Sequence, residues 1–264
     1  MYGINKNYNK STTIILRIVP FILPIVLVYA WQWGGETGKI ITALFPPPTK
    51  LFETFKELLV NGIIWKNLSV SMLRVGKGFL LGASAGIILG FLMGLIKPIE
   101  SVLSVLVSIL RPIPFLAIIP IMIMLLGIGE LEKTVVIAYG TFWAAFLNTV
   151  GGLQNVDIKL LEVAYLFRTS VLKAVFKIIV PAAIPSILTG LRLGISSAWM
   201  SVVGAEMIAA SSGIGYLLAY SRTIARADQM YVCVLIIGCI GLILDKALVA
   251  MQKAYIKKTR GIEL

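Results

Sequence analysis

The sequence predicts an all-α membrane protein with about six transmembrane helices. Three observations carry that expectation. Of 264 residues, 58% are hydrophobic and only 14% charged, with a mean hydropathy of +0.94, and a soluble domain needs more polar surface to cover its core. The apolar residues come in runs close to the roughly 20 needed to cross a bilayer's hydrocarbon core. The cations behind the net charge of +12 sit mostly in short segments between those runs, which suits positive-inside topology and anionic headgroups better than nucleic acid.

The first span runs over Ile14–Trp31, with Pro20 and Pro24 inside it, after a short cytoplasmic segment (1–13). Lys6 and Lys10 give it the start of a signal peptide. Its apolar run is long and no small-x-small cleavage site follows, so a retained signal-anchor helix is expected. The stretch from Gln32 to Lys77 is the longest connection. It holds the triproline Pro46–Pro48 and then Leu51, Phe55, Leu58 and Leu59 on one helical face, a pattern for a helix lying at the membrane interface.

The second span, Gly78–Ile96, is uncharged, and the third, Ser101–Leu126, is interrupted by Arg111, Pro112, Pro114 and Pro120. The fourth covers Thr134–Val150, the fifth Ile184–Ala205 with Arg192 inside it, and the sixth Met230–Met251 with Asp245 and Lys246 near its end. Residues 14–251 thus form one membrane domain and 252–264 a basic cytoplasmic tail. An even number of spans leaves both termini on one side. With that side inside, the inner segments hold Lys6, Lys10, Arg17, Lys97, Lys159, Arg168, Lys173, Lys177, Lys253, Lys257, Lys258 and Arg260, as the positive-inside rule asks. Arg74 and Lys77 run against it, because they precede the second span on the outer side.

Within the second span, Gly78, Gly82, Gly86, Gly90 and Gly94 recur every four residues. That spacing draws a stripe where another helix can approach closely, either for packing or for a sliding surface. Arg111 and Arg192 lie in or beside apolar spans, where charge is costly unless it snorkels to headgroups or faces a cavity or a partner. Pro112 and Pro114 break the helix beside Arg111. With Trp143, Trp199 and the carboxylate Glu206, which otherwise reads as an outer-interface carboxylate, these residues form the candidate translocation path and gate, in which positive charge would suit an anionic solute.

Several chemistries lack their residues. There is no histidine, and Cys233 and Cys239 lie in an apolar run, so neither a metal site nor a disulfide framework is expected. The stretch "GASAGIILG" lacks the lysine of a phosphate loop. No catalytic constellation and no pair of intramembrane carboxylates for a proton relay stands out. A non-catalytic subunit without a cofactor of its own is the expectation.

The stretch from Glu162 to Pro185 is polar and helix-like amid long apolar runs. Leu161 and Tyr165, then Val171, Val175 and Ile179, mark an apolar stripe, Lys173 and Lys177 the opposite side, and Thr169 or Ser170 a helix cap. Two short amphipathic helices meeting near Arg168 are expected over about 158–179, resting on headgroups or docking a soluble partner.

This stretch resembles the cytoplasmic motif of binding-protein-dependent ABC importer permeases: E-A-A, three residues, a glycine, nine residues, then I-x-L-P. Glu162, Ala164, Ile178 and Pro181 match; Val163 and Val180 depart mildly, and Arg168 replaces the glycine. Arginine suits that bend only if its φ stays negative. "FPPPTKLFETF", "SMLRVGKGFLLGASAGIILGFLMG", "RPIPFLAIIPIMIMLLGIGE" and "PAAIPSILTGLRLGISSAWMSVVGAEMIAASSGIGYL" are similar to the permeases for nitrate, sulfonate, taurine and bicarbonate. The resemblance covers roughly 45–250. It implies the type I ABC importer permease fold in a bacterial cytoplasmic membrane, and a homodimer. It further implies two ATP-binding subunits that hold ATP and Mg and dock on the coupling helices, an extracytoplasmic solute-binding protein, and alternating access. A heterocyclic vitamin precursor is the alternative solute, and a self-sufficient secondary transporter the alternative class.

Overall fold

The computed structural model describes residues 10–260; residues 1–9 and 261–264, within the expected N-terminal segment and basic tail, lie outside them. The described chain is helical: α1 (Lys10–Glu36), α2 (Pro48–Val60), α3 (Ile63–Leu95), α4 (Lys97–Leu110), α5 (Phe115–Leu126), α6 (Glu130–Gln154), α7 (Ile158–Leu166), α8 (Val171–Ala174), a π turn (Val175–Ile179), α9 (Val180–Ala209), α10 (Ile214–Thr223) and α11 (Ala227–Arg260). Among the described residues four helices are long and apolar enough to cross a membrane, and α4 with α5 makes a fifth crossing, bent by 96°. The first expected span lies in α1, whose 27 residues reach about 40 Å at 1.5 Å per residue.

The glycine stripe fixes how the helices run. A Cβ on Gly78 would meet Ile137, one on Gly86 would meet Ala145, and one on Gly94 would meet Leu153. Residue numbers rise together, so α3 and α6 are parallel neighbours. The chain between two parallel helices must return to the end it started from. The bent pair α4 and α5 makes that return, which makes it a broken crossing and not a loop that turns back. Gly152 meets Ser186 and Gly190 meets Asn148, so α9 runs antiparallel to α6. α11 runs antiparallel to α9, because Arg192 pairs with Asp245 while Trp199 bonds the carbonyl of Ile237. Trp31 near the end of α1 packs on Tyr231 near the start of α11. The start of α1, the end of α11 and the turn 155–170 therefore share one end of the bundle.

Two expected boundaries move. The second span was expected to begin at Gly78, but α3 starts at Ile63, so Arg74 and Lys77 belong to the helix and not to a loop. Its first turns carry polar residues that face protein, which a reading by hydropathy takes for a connection. The expected interfacial helix is α2, opened by Pro48 at a position where a missing N–H costs nothing. Its apolar face does not rest on headgroups: Leu51 and Leu58 are buried in a core shared with Val232, Cys233 and Ile236 of α11.

The α4–α5 break has a local cause. Pro114 cannot supply the N–H that the Leu110 carbonyl would receive in a continuing helix. The Tyr139 hydroxyl on α6 lies 3.0 Å from that carbonyl and 3.1 Å from that of Ile113, and its one proton serves either. Tyr139 is nine residues into α6, so the break sits about 14 Å below the end of that helix, well inside a bilayer some 30 Å thick.

Candidate functional site

Three polar features stand out in a bundle this apolar. The first is a buried knot where α3, α6, α9 and α10 meet. Asn67, Ser71 and Arg74 lie on one face of α3, in line with the glycine stripe below them. Arg74 grips Glu130 at the start of α6 with two bonds, Nε to Oε2 at 2.9 Å and Nη2 to Oε1 at 2.5 Å. Its Nη1 donates to Glu206 Oε1 at 2.8 Å and to the Ser212 carbonyl at 2.7 Å, and Nη2 also reaches Ser212 Oγ at 3.3 Å. All five N–H groups of the guanidinium are thereby used. Glu206 in turn accepts the Ser71 hydroxyl at 2.8 Å and the Gly215 N–H at 2.9 Å. The Gly213 N–H goes to Asn67 Oδ1 and the Ile214 N–H to Ser71 Oγ, both at 2.9 Å.

The N-terminus of α10 is thus capped by side chains of α3 and α9, and a carboxylate suits the positive end of its dipole. Gly213 (φ +112) is fixed twice over: its backbone is in a region side chains avoid, and a Cβ would strike the Glu206 carboxylate. Beside the knot, Glu132 and Lys133 are buried too. The ammonium bonds the Gly129 carbonyl at 2.9 Å, while Glu132 Oε1 has no hydrogen-bond partner among the described residues.

The second feature is the α4–α5 break. Arg111 closes α4, is exposed, and lines a cavity of about 460 Å³ with Val107, Ser108 and Pro112. Among the described residues no carboxylate pairs with it, whereas Arg74, Arg192 and Arg226 all have one. On α6 behind the break, Trp143 stacks edge-on against Tyr139 at 5.9 Å, and its buried Nε1 has no hydrogen-bond acceptor among the described residues. Pro114 opens α5 as its N-cap.

The third is the turn 155–180. Two residues past the end of α7 comes Arg168, which has φ +47. The Arg168 N–H bonds the Tyr165 carbonyl and the Thr169 N–H bonds that of Ala164, both at 2.9 Å, which is the paired-bond helix stop that normally takes glycine. The condition on arginine fails here, and the side chain sits in left-handed space at a cost of about 1–2 kcal/mol. Ser170 is the N-cap of α8 but its side chain makes no capping bond. The second expected short helix is not separate: α8, the π turn and α9 form one helix from Val171 to Ala209. The π turn has a reason in Pro181, which has no N–H for the Lys177 carbonyl; the ladder slips by one, and the Val180 N–H reaches back to Val175. Around this turn Tyr165 is 84% exposed and Phe167 80%, and Leu166, Val171, Leu172 and Phe176 are also exposed. Glu162 is exposed, Ala164 buried, and the side chain of Leu161 lies outside the description.

Residues 82–261 match the family described as binding-protein-dependent transport system inner membrane component. This chain belongs to that family. The permease is 34% identical over 92% of its length to a relative named aliphatic sulfonates transport permease protein SsuC of Bacillus subtilis (strain 168), covering 88% of it. It is 39% identical over 94% of its length to the ABC transporter permease protein MJ0413 of Methanocaldococcus jannaschii, covering 96%. In fold it is similar to a chain of the inward-facing MetNI methionine ABC transporter, with a TM-score of 0.59 at 20% identity over 76% of this chain and 98% of that one. The fold is that of a type I ABC importer permease.

In this permease the expected path residues part company. Glu206 is 1% exposed and spent on the knot. Trp199 is buried between α9 and α11, its N–H 3.0 Å from the Ile237 carbonyl. Arg192 is bound by Asp245 through two bonds, at 2.7 and 3.1 Å. Arg111, Pro112 and Pro114 share one bend, and Trp143 is joined to it through Tyr139. Outside the spans, Arg226 is held by Asp228 and by Glu57 of α2, and the hydrogen bond to Asp228 is the main reason its proton is bound more firmly than usual. Sequence reasoning passed over Asn67, Ser71, Glu130 and Tyr139, and gave Arg74 the role of a loop cation. For the three on α3 the signal was there: 67, 71, 74, 78, 82, 86, 90 and 94 form one unbroken stripe at helical spacing.

Proposed function

We propose that this permease forms the membrane path of an ATP-driven importer for a small oxyanion, an aliphatic sulfonate or taurine first, nitrate or bicarbonate next. Two copies pair, and an extracytoplasmic binding protein delivers the solute at the end of the bundle that holds the knot. The turn 155–170 and both termini face the cytoplasm, where two ATP-binding subunits hold ATP and Mg and seat on residues 158–179. Closure of those subunits moves the turn, and the continuous helix from Val171 to Ala209 passes the motion to the spans, which open to alternate sides.

The observation that carries this reading is the apolar surface from Tyr165 to Phe176. Solvated turns do not expose three aromatic and three aliphatic side chains together unless a partner covers them. Pairing of copies draws support from α4, which has no buried residue, and α5, which has only Ile119. The oxyanion class draws support from Arg111, a cation without a carboxylate at a break inside the bilayer, and from the relative named for sulfonates.

The test is co-purification with a candidate ATP-binding subunit. Phe167→Glu with Leu172→Glu leaves the helix from Val171 onward intact, which a deletion would not. The double variant should elute as the same folded species as the parent chain while losing the ATPase and solute-stimulated ATP hydrolysis. Retention of both complex and stimulation would contradict the proposal.

A further inference from the structure

A cavity of about 620 Å³ lies between α1, α2, α3 and α11, away from the Arg111 break. Its wall includes Trp31, Phe52, Phe55, Trp65, Leu235 and Cys239. Trp65 and Leu235 at its rim are 64% and 56% exposed, so the cavity opens sideways from the bundle, where the solvent is hydrocarbon. Nothing in that wall would hold water.

Two features give the occupant a polar end. The Trp31 Nε1–H is buried and has no acceptor among the described residues. Lys56, one helical turn after the wall residue Phe52, lies 4.5 Å over the Phe52 ring. Among the described residues no carboxylate pairs with it: Glu53 is held by Lys50 and Glu57 by Arg226. A cation with no protein counter-ion, next to an apolar slot that faces lipid, matches one chemistry.

We propose that this cavity is a binding site for an anionic phospholipid, one acyl chain filling the slot and the phosphate-bearing headgroup drawn by Lys56. The Trp31 N–H serves the ester region, where indoles meet a bilayer. The bound chain fills the gap between α1 and the bundle formed by α2, α3 and α11. The site stands on its own and does not rest on the transport reading.

The full chain is placed in nanodiscs with a trace of phosphatidylglycerol or phosphatidylcholine carrying a diazirine on one acyl chain, irradiated, and mapped by peptide. Label should concentrate in 48–68 and 228–240, with phosphatidylglycerol favoured about fivefold, the effect of one cation near an anionic surface. Lys56→Gln should bring the two lipids level. Leu235→Trp or Cys239→Phe, each filling the slot at an exposed position, should remove label from these segments while the protein elutes unchanged. Three results would overturn the site: label spread evenly over the lipid-facing helices, equal labelling by both lipids in the parent chain, or label indifferent to both filling variants. Competition by excess inorganic phosphate would move the charge preference to a free anion, and ready Cys239–Cys239 cross-linking between copies would give the groove to a second protomer. Either would overturn the lipid assignment.

Discussion

Arg74 and Arg111 sit in the same bundle and have opposite surroundings. Arg74 is 5% exposed, and its five N–H groups all have acceptors, on α6, on α9 and in the turn before α10. Arg111 is exposed at a helix break, with no carboxylate partner among the described residues. A charge whose donors are all spent by its own protein holds the protein together and has nothing left for a solute. A charge kept in an apolar setting without a counter-ion leaves its donors open to one that arrives. The difference separates the fixed part of the permease from the part that can act, and it is open to attack from both sides.

The largest effect is expected at the knot. Arg74→Ala leaves Glu206 buried and uncompensated, which costs about 3–5 kcal/mol, so thermal unfolding of the purified chain should fall by roughly 10 °C. The double change Arg74→Met with Glu206→Met should recover most of that loss, because removing a whole buried pair is far cheaper than halving it. A double variant as unstable as the single one would mean that the knot does not act as a pair.

A smaller loss is expected along the stripe that continues the knot. Gly82→Ala drives a Cβ into the Ala138 backbone and should cost about 2 kcal/mol by overpacking, whereas Gly76→Ala, with nothing within 4 Å, should be neutral or slightly stabilising. Equal effects at the two positions would remove the close approach of α3 and α6 from the account. Next comes Arg168→Gly, which relieves a left-handed arginine and should raise stability by about 1 kcal/mol, or some 2–4 °C for a chain this long. The smallest effect belongs to Arg192→Gln. Asp245 already spends that cation, both groups are over a third exposed, and uptake should match the parent. A large uptake defect there would return Arg192 to the path.

Much of this was legible in the sequence, and the misses share a cause. The spans followed from apolar runs, the α4–α5 break from Pro112 and Pro114, and the family from Glu162, Ala164, Ile178 and Pro181. The start of α3 was not legible by hydropathy, because Asn67, Ser71 and Arg74 are polar residues that face protein. Their helical spacing with Gly78 was the signal that hydropathy discards. Glu206 could be seen as unusual, but its partner lies 132 residues away, and no periodicity reports a contact at that separation. Tyr139 could not be picked out either, since its value comes from carbonyls of another helix, at the bend that Pro114 imposes.

The most direct measurement of the central claim is solute-stimulated uptake by Arg111→Gln, reconstituted with its ATP-binding subunits and binding protein, alongside its thermal unfolding. Loss of one charged contact should slow uptake about tenfold while the melting temperature and complex formation stay those of the parent, and Arg111→Lys should restore part of the rate. Parental uptake by Arg111→Gln, or a loss of uptake matched by a loss of stability, would contradict the assignment of Arg111 to the path.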